Sequence, residues 1–140
     1  MAEIAVRPDI DPEIVCRIIV KARAFDAQEG VVEEDYGGNP VDEGFRSVLA
    51  GYRDDPTFQE LRSFIGGLDV DDQCDLVALM WTGRGDYGPE QWAEALRLAR
   101  DEHNERTADY LLGTPLLGDY LDEGLSQFGL SCEPFDKAHL

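Results

Sequence analysis

The chain has 140 residues, 43% of them apolar, and 30 acidic side chains against 12 basic ones give a formal charge of −18. That length suits one domain, and the apolar share is enough for a real core, which excludes wholesale disorder. The charge repels phosphate backbones and anionic lipid surfaces, and the densest basic stretch (Arg17, Lys21 and Arg23) is too sparse to reverse that.

Residues 1–10 read as an N-terminal tail with neither the basic start nor the apolar run of a signal peptide. Asp11 followed by Pro12 is an N-cap with proline at the first helical position. Ile14, Val15, Ile18, Ile19, Ala22 and Phe25 follow at helical spacing and predict an amphipathic helix ending near Gln28. Residues 29–41 (EGVVEEDYGGNPV) lose all periodicity, and Glu33, Glu34 and Asp35 repel one another, so a mobile acidic loop is expected. Asp42 can cap a short helix with Phe45, Val48, Leu49 and Tyr52 on one face.

Asp55–Pro56 repeats the cap–proline signature ahead of Phe58, Leu61, Ile65 and Leu68. Asp69 caps the next helix, which carries Leu76, Val77, Leu79, Met80 and Trp81 and stops at Gly83 or Gly85. Pro89 opens a long helix. Thr114–Pro115 opens the last one, with Leu116, Leu117, Tyr120, Leu121, Leu125 and Phe128, stopped by Gly129. No stretch alternates strictly enough to require a strand. The expectation is a single all-α domain over residues 11–129, a compact bundle of five or six helices, with residues 130–140 as a C-terminal tail. The longest apolar run, Leu76 to Trp81, is far too short to span a membrane.

Cys16, Cys74 and Cys132 are odd in number and widely spaced, which gives no disulfide framework and no metal knuckle. They read as lone core cysteines of a protein in a reducing cytoplasm.

Three motifs carry possible chemistry. Gly83-Arg84-Gly85-Asp86-Tyr87-Gly88 fits the dinucleotide fingerprint GxGxxG literally, but the required flanking strands are missing, so it reads as a turn between two helices. Asp69, Asp71 and Gln73 imitate the first three ligands of a calcium loop, but Cys74 stands where glycine is needed and Met80 where the bidentate glutamate is needed. No metal and no cofactor is expected.

The third motif is the best candidate. Trp92, Leu96, Ala99, His103, Arg106 and Tyr110 step by three and four along the predicted long helix, so one face passes from apolar core into imidazole, guanidinium and phenol, with Thr107 alongside. Core-facing polar groups need partners. Either this face is an internally paired structural cluster, or it lines a pocket for an anionic ligand with Arg84, Asp86 and Trp81 joining from the preceding turn. No nucleophile sits in a recognisable context, and no catalytic residue is assigned.

Four stretches carry a family resemblance: VCRIIVKARAFD (Val15 to Asp26), DLVALMWTGRGDY (Asp75 to Tyr87), HNERTADYLLGTPLLGDYLDEGL (His103 to Leu125) and Ser131-Cys132-Glu133. Together they resemble, over nearly the whole chain, an uncharacterised bacterial family known as domain of unknown function number three-seven-seven-five. TADYLLGTPLL is the most specific part. The resemblance implies a small cytoplasmic bacterial protein and supplies no activity, ligand or catalytic residue. The expectation for function is a non-enzymatic interaction or regulatory protein with a basic protein partner, and the competing expectation is the small-molecule site around His103, Arg106 and Tyr110.

Overall fold

A computed structural model describes residues 6–29 and 56–133, with the side chains of residues 25–29 left aside. The expected helix after Asp42 lies outside the described residues, as does the expected acidic loop apart from Glu29. Six α-helices pack together and no strand occurs among the described residues. They are α1 (Pro12–Glu29), α2 (Pro56–Gly66), α3 (Val70–Arg84), α4 (Trp92–Glu102), α5 (Thr107–Leu112) and α6 (Leu117–Gln127), with a 3₁₀ turn at Pro89–Gln91 before α4. The all-α reading holds.

Helix α3 is the axis. Its N-cap is Asp69, whose side chain accepts a bond from the Asp72 N–H at 2.8 Å. The C-cap is Gly85, in the left-handed region at φ 98°. Between these ends every residue from Gln73 to Thr82 is buried. A helix that is buried on all sides must be covered on all sides. Helices α4 and α6 cover α3 most extensively, while α1 packs on α6 and α2, and α2 packs on α5.

The contact between α3 and α6 depends on two missing side chains. A Cβ on Gly83 would overlap the Tyr120 carbonyl, and one on Gly124 would lie 2.5 Å from the Leu79 carbonyl oxygen. Bare backbone therefore meets bare backbone across this interface. Gly118 does the same for α1, where a Cβ would lie 3.1 Å from the Ile19 carbonyl oxygen. Beside these contacts Arg23 of α1 bonds Asp119 and Asp122 of α6, each at 3.0 Å. Those pairs are half-exposed and add little to stability.

Three expectations need correction. The long helix from Pro89 through Tyr110 is two helices. His103 leaves α4 with ψ 136°, and the Asn104 side chain accepts from the Arg106 N–H at 2.7 Å while Thr107 Oγ1 accepts from the Asn104 N–H at 3.2 Å. These side-chain bonds replace the helical ladder and end it. Some residues assigned to the tails pack on the domain. Ile10 is buried, and Leu130 and Cys132 pack against the core. Finally, Cys16 and Cys132 form a disulfide with a Cα–Cα distance of 5.6 Å, and only Cys74 remains a free, buried thiol.

The glycine contacts give a graded expectation. Gly83→Ala forces α3 and α6 apart and should cost on the order of 3 kcal/mol in denaturant unfolding. Gly66→Ala has nothing within 4 Å of the added atom and should be neutral or stabilising by about 0.5 kcal/mol. Equal effects of the two would contradict the packing described.

Candidate functional site

The structure divides the predicted polar face between two places along α3. His103 Nε2 lies 2.9 Å from Gln73 Oε1, near the start of that helix. The Gln73 amide nitrogen donates to the carbonyls of Leu68 at 2.9 Å and Gly66 at 3.3 Å. With both amide hydrogens engaged, Oε1 is an acceptor and His103 donates from Nε2. This set ties the α2–α3 turn to the end of α4.

Tyr110 sits near the other end of α3. Its hydroxyl accepts from Trp81 Nε1 at 2.9 Å, and Tyr87 stacks obliquely on Trp81 at a centroid distance of 6.0 Å. Arg84 interacts with the same phenol and with Asp86, whose Oδ2 accepts from Arg84 Nε at 2.9 Å and Nη2 at 2.6 Å. Partial burial works to lower the Arg84 pKa, but Asp86 and Tyr110 outweigh it and hold the guanidinium charged. Trp81 and Gln73 are eight positions apart, so about 12 Å of helix separates the two clusters.

Of the six predicted site residues, Arg84, Asp86 and Tyr110 are therefore brought together. His103 is elsewhere. Thr107 is buried and serves α5 locally, donating to the Asn104 carbonyl at 2.9 Å. Arg106 is exposed, and its guanidinium bonds no group among the described residues. The glycines of the GxGxxG match each have a structural task. Gly83 admits α6, Gly85 ends α3, and Gly88 precedes the 3₁₀ turn with its N–H on Gln91 Oε1. Asp69 and Gln73 of the calcium-like run are a cap and a buried tie. Among the described residues no group of three or more His, Cys, Asp or Glu side chains is placed to hold a metal ion.

Two features escaped sequence reasoning. Asp75 is a buried carboxylate whose Oδ2 accepts from the N–H groups of Asp9 and Ile10, both at 2.9 Å. Burial pushes its pKa up to about 6. The two N–H bonds oppose that shift, and the charges of Asp9 and Asp72 add to it. The signal was an aspartate directly ahead of the run from Leu76 to Trp81, at a position too apolar for an unpaired acid. The second feature is an acidic end. The N-terminal segment held by Asp75 brings Asp9 and Asp11 toward Asp69, Asp71 and Asp72. Burial first, and then repulsion from those four carboxylates, raises the Asp72 pKa. Among the described residues the one ion pair reaching this group is Arg100–Asp71, at 4.0 Å.

Fold and site together define a small, acidic, all-α protein whose conspicuous polar side chains bond mostly to one another. A family model described as Protein of unknown function (DUF3775) matches residues 58–130. The chain belongs to that family. The match contains the segments around Trp81 and Tyr110 but not Val15 to Asp26 or Ser131 to Glu133. No curated protein and no solved structure matches the chain.

Two outcomes follow from these placements. A carboxyl with a raised folded pKa favours the folded state below its unfolded value, and that contribution is lost as pH climbs to the folded value. The stability of the wild type minus that of Asp75→Asn should therefore fall between about pH 4 and pH 6 and stay level above pH 7. A difference independent of pH would contradict the buried carboxyl. Separately, Arg106→Ala should change unfolding free energy by no more than about 0.5 kcal/mol. A large loss would return Arg106 to the structural cluster.

Proposed function

We propose that the protein is a small cytoplasmic bacterial interaction or regulatory protein that acts without catalysis, by presenting its acidic end to a basic protein partner. The observation that carries this reading is the gathering of Asp9, Asp11, Asp69, Asp71 and Asp72 from two chain segments with one distant arginine among them. Lysine or arginine side chains from a partner would relieve that repulsion, and complementary charge speeds encounter and sets register. The internal pairing of His103, Thr107, Tyr110, Arg84 and Asp86 supports the same reading, since it leaves little chemistry free at those residues. The absence of a long apolar helix among the described residues is compatible with the cytoplasmic placement. The competing reading, an anionic-ligand site around His103, Arg106 and Tyr110, rests on the unbonded guanidinium of Arg106. Its check is a thermal-shift panel of metabolite acids, in which a stabilising ligand loses its effect on Arg106→Ala.

The test of the acidic end uses a short fluorescent Arg/Lys peptide as the probe. Binding should weaken as salt rises, because exposed charges are screened beyond about 10 Å at 0.1 M. Replacing Asp69, Asp71 and Asp72 together by Asn keeps the cap and removes three charges. That variant should lose roughly tenfold or more in affinity, while replacing Glu90, Glu94 and Glu123 by Gln should lose much less. Equal losses, or no binding by the wild type, would overturn the proposal.

A further inference from the structure

The Cys16–Cys132 bond joins the start of α1 to the segment after α6, across 116 positions of sequence. The loop it closes contains α2 to α6 entire. Both ends of that loop are placed by contacts other than the bond. Cys16 is buried beside Val15, Ile18 and Ile19 on the inner face of α1. Helix α1 packs on α6 through Gly118, bonds Asp119 and Asp122 through Arg23, and pairs with Glu60 of α2 through Lys21. At the other end Gly129 turns the chain at φ 75°, and the Gly129 and Leu130 N–H groups bond back to Ser126 and Leu125 at 2.9 Å each. Leu130 and Cys132 then pack against the core. The Glu133 N–H meets Ser131 Oγ at 3.4 Å, and Glu133 has a further interaction. The fold thus holds Cys16 and Cys132 with their Cα atoms 5.6 Å apart, an ordinary separation for a disulfide.

Cys74 is the rival partner. It lies midway between the other two in sequence, so a bond from it to either would close half the loop. In an unfolded chain each such bond is favoured about threefold over Cys16–Cys132 by loop entropy. The fold reverses that preference. Cys74 is fully buried beneath α4, with its sulfur 3.9 Å from the Ala99 carbonyl oxygen. Burial also pushes its thiol pKa up, which keeps it protonated and inert.

From this placement we infer that Cys16 and Cys132 are a redox-sensitive lock on the whole domain, closed by exchange with a small disulfide such as oxidised glutathione. In closing, one thiolate of the pair attacks the small disulfide, forms a mixed disulfide and expels a small thiolate. The other thiolate of the pair attacks the protein sulfur of that mixed disulfide and expels the second small thiolate. The pair gives up two electrons and two protons, and the small disulfide becomes two thiols. Because the fold already holds the two residues together, closure is easier in the folded protein than in the unfolded chain. By reciprocity the closed bond stabilises the fold by the same factor, on the order of a thousandfold for a loop of this length. The stabilisation is global, since it acts by restricting an unfolded chain cross-linked from α1 to beyond α6. The bond therefore closes even where small thiols are kept mostly reduced, and the ratio of reduced to oxidised small thiol sets how firmly the domain resists unfolding. The lock and the acidic end are independent of one another.

The test equilibrates the full chain with mixtures of reduced and oxidised glutathione, in native buffer and in concentrated guanidinium chloride, until reduced and oxidised starting samples agree. Samples are quenched in acid, alkylated and mapped by peptide. In guanidinium all three pairings should appear, with Cys16–Cys132 a minority of roughly one in seven. In native buffer Cys16–Cys132 should be the single bond, with Cys74 alkylated. It should there withstand at least roughly a hundredfold greater excess of reduced glutathione than in guanidinium. The oxidised protein should melt roughly 5 °C or more above the reduced one, with equal helical circular dichroism below both midpoints. That shift should vanish in Cys132→Ser and persist in Cys74→Ser. Native pairing through Cys74, the same glutathione excess in both solvents, or equal midpoints for the oxidised and reduced wild type would each overturn the inference.

Discussion

The close approach of α3 and α6 is the constraint on which the rest of the structure depends. Gly83 and Gly124 place the two backbones where no Cβ fits. With α6 that near, α4 closes another flank of α3 and α1 lies over α6. The result is a helix with ten consecutive buried residues in a chain of this size. Burial on that scale is the main source of stability in a small helical domain. It also sets a problem, because Gln73, Asp75 and Thr82 are polar and lie within that run.

Gln73 and Asp75 fasten other segments to the axis, whereas the Thr82 hydroxyl is satisfied within α3 and its backbone carbonyl meets α6. Gln73 holds the turn before α3 and the end of α4. Asp75 holds the backbone of the N-terminal segment. The Thr82 hydroxyl donates to the Ala78 carbonyl at 2.9 Å, and the Thr82 carbonyl accepts from Gln127 of α6 at 3.2 Å. Such bonds contribute little net energy but would be costly to leave unmade. They also direct the surface. By drawing residues 9 and 10 onto α3, Asp75 adds two more acids to an end that already carries Asp69, Asp71 and Asp72. The core's need for satisfied polar groups and the acidic end are thus one arrangement.

The helical class was legible because the caps are local. Asp11–Pro12, the Asp69 cap and Gly85 act within one turn of chain, and each does what its residue type predicts. The site was harder to read. Three-and-four spacing from Trp92 to Tyr110 continues through His103 and Arg106, so periodicity alone shows one helix. Asn104 and Thr107 carried the contrary signal, since both compete for backbone bonds. Leu116 is a similar case. Thr114–Pro115 marks a start, yet the chain passes through a left-handed Leu116 at φ 62° before α6 begins. Thr114 meanwhile donates back to the Tyr110 carbonyl at 3.0 Å. Nothing local foretells that geometry. The Cys16–Cys132 bond was illegible for a related reason, since with three cysteines spacing does not say which two meet. Asp86 and Arg84 could be placed beside Tyr110 only once the chain was known to fold back there.

Helix α3 is the axis of a single cooperative unit, and native-state hydrogen exchange measured residue by residue tests that most directly. Amides from Leu76 to Trp81 in α3 and from Leu121 to Leu125 in α6 should form the slowest set. They should exchange together, with a free energy equal to that of global unfolding. If α3 instead opens locally, exchanging with a lower free energy than α4 or independently of α6, then the α3–α6 contact does not hold the domain together.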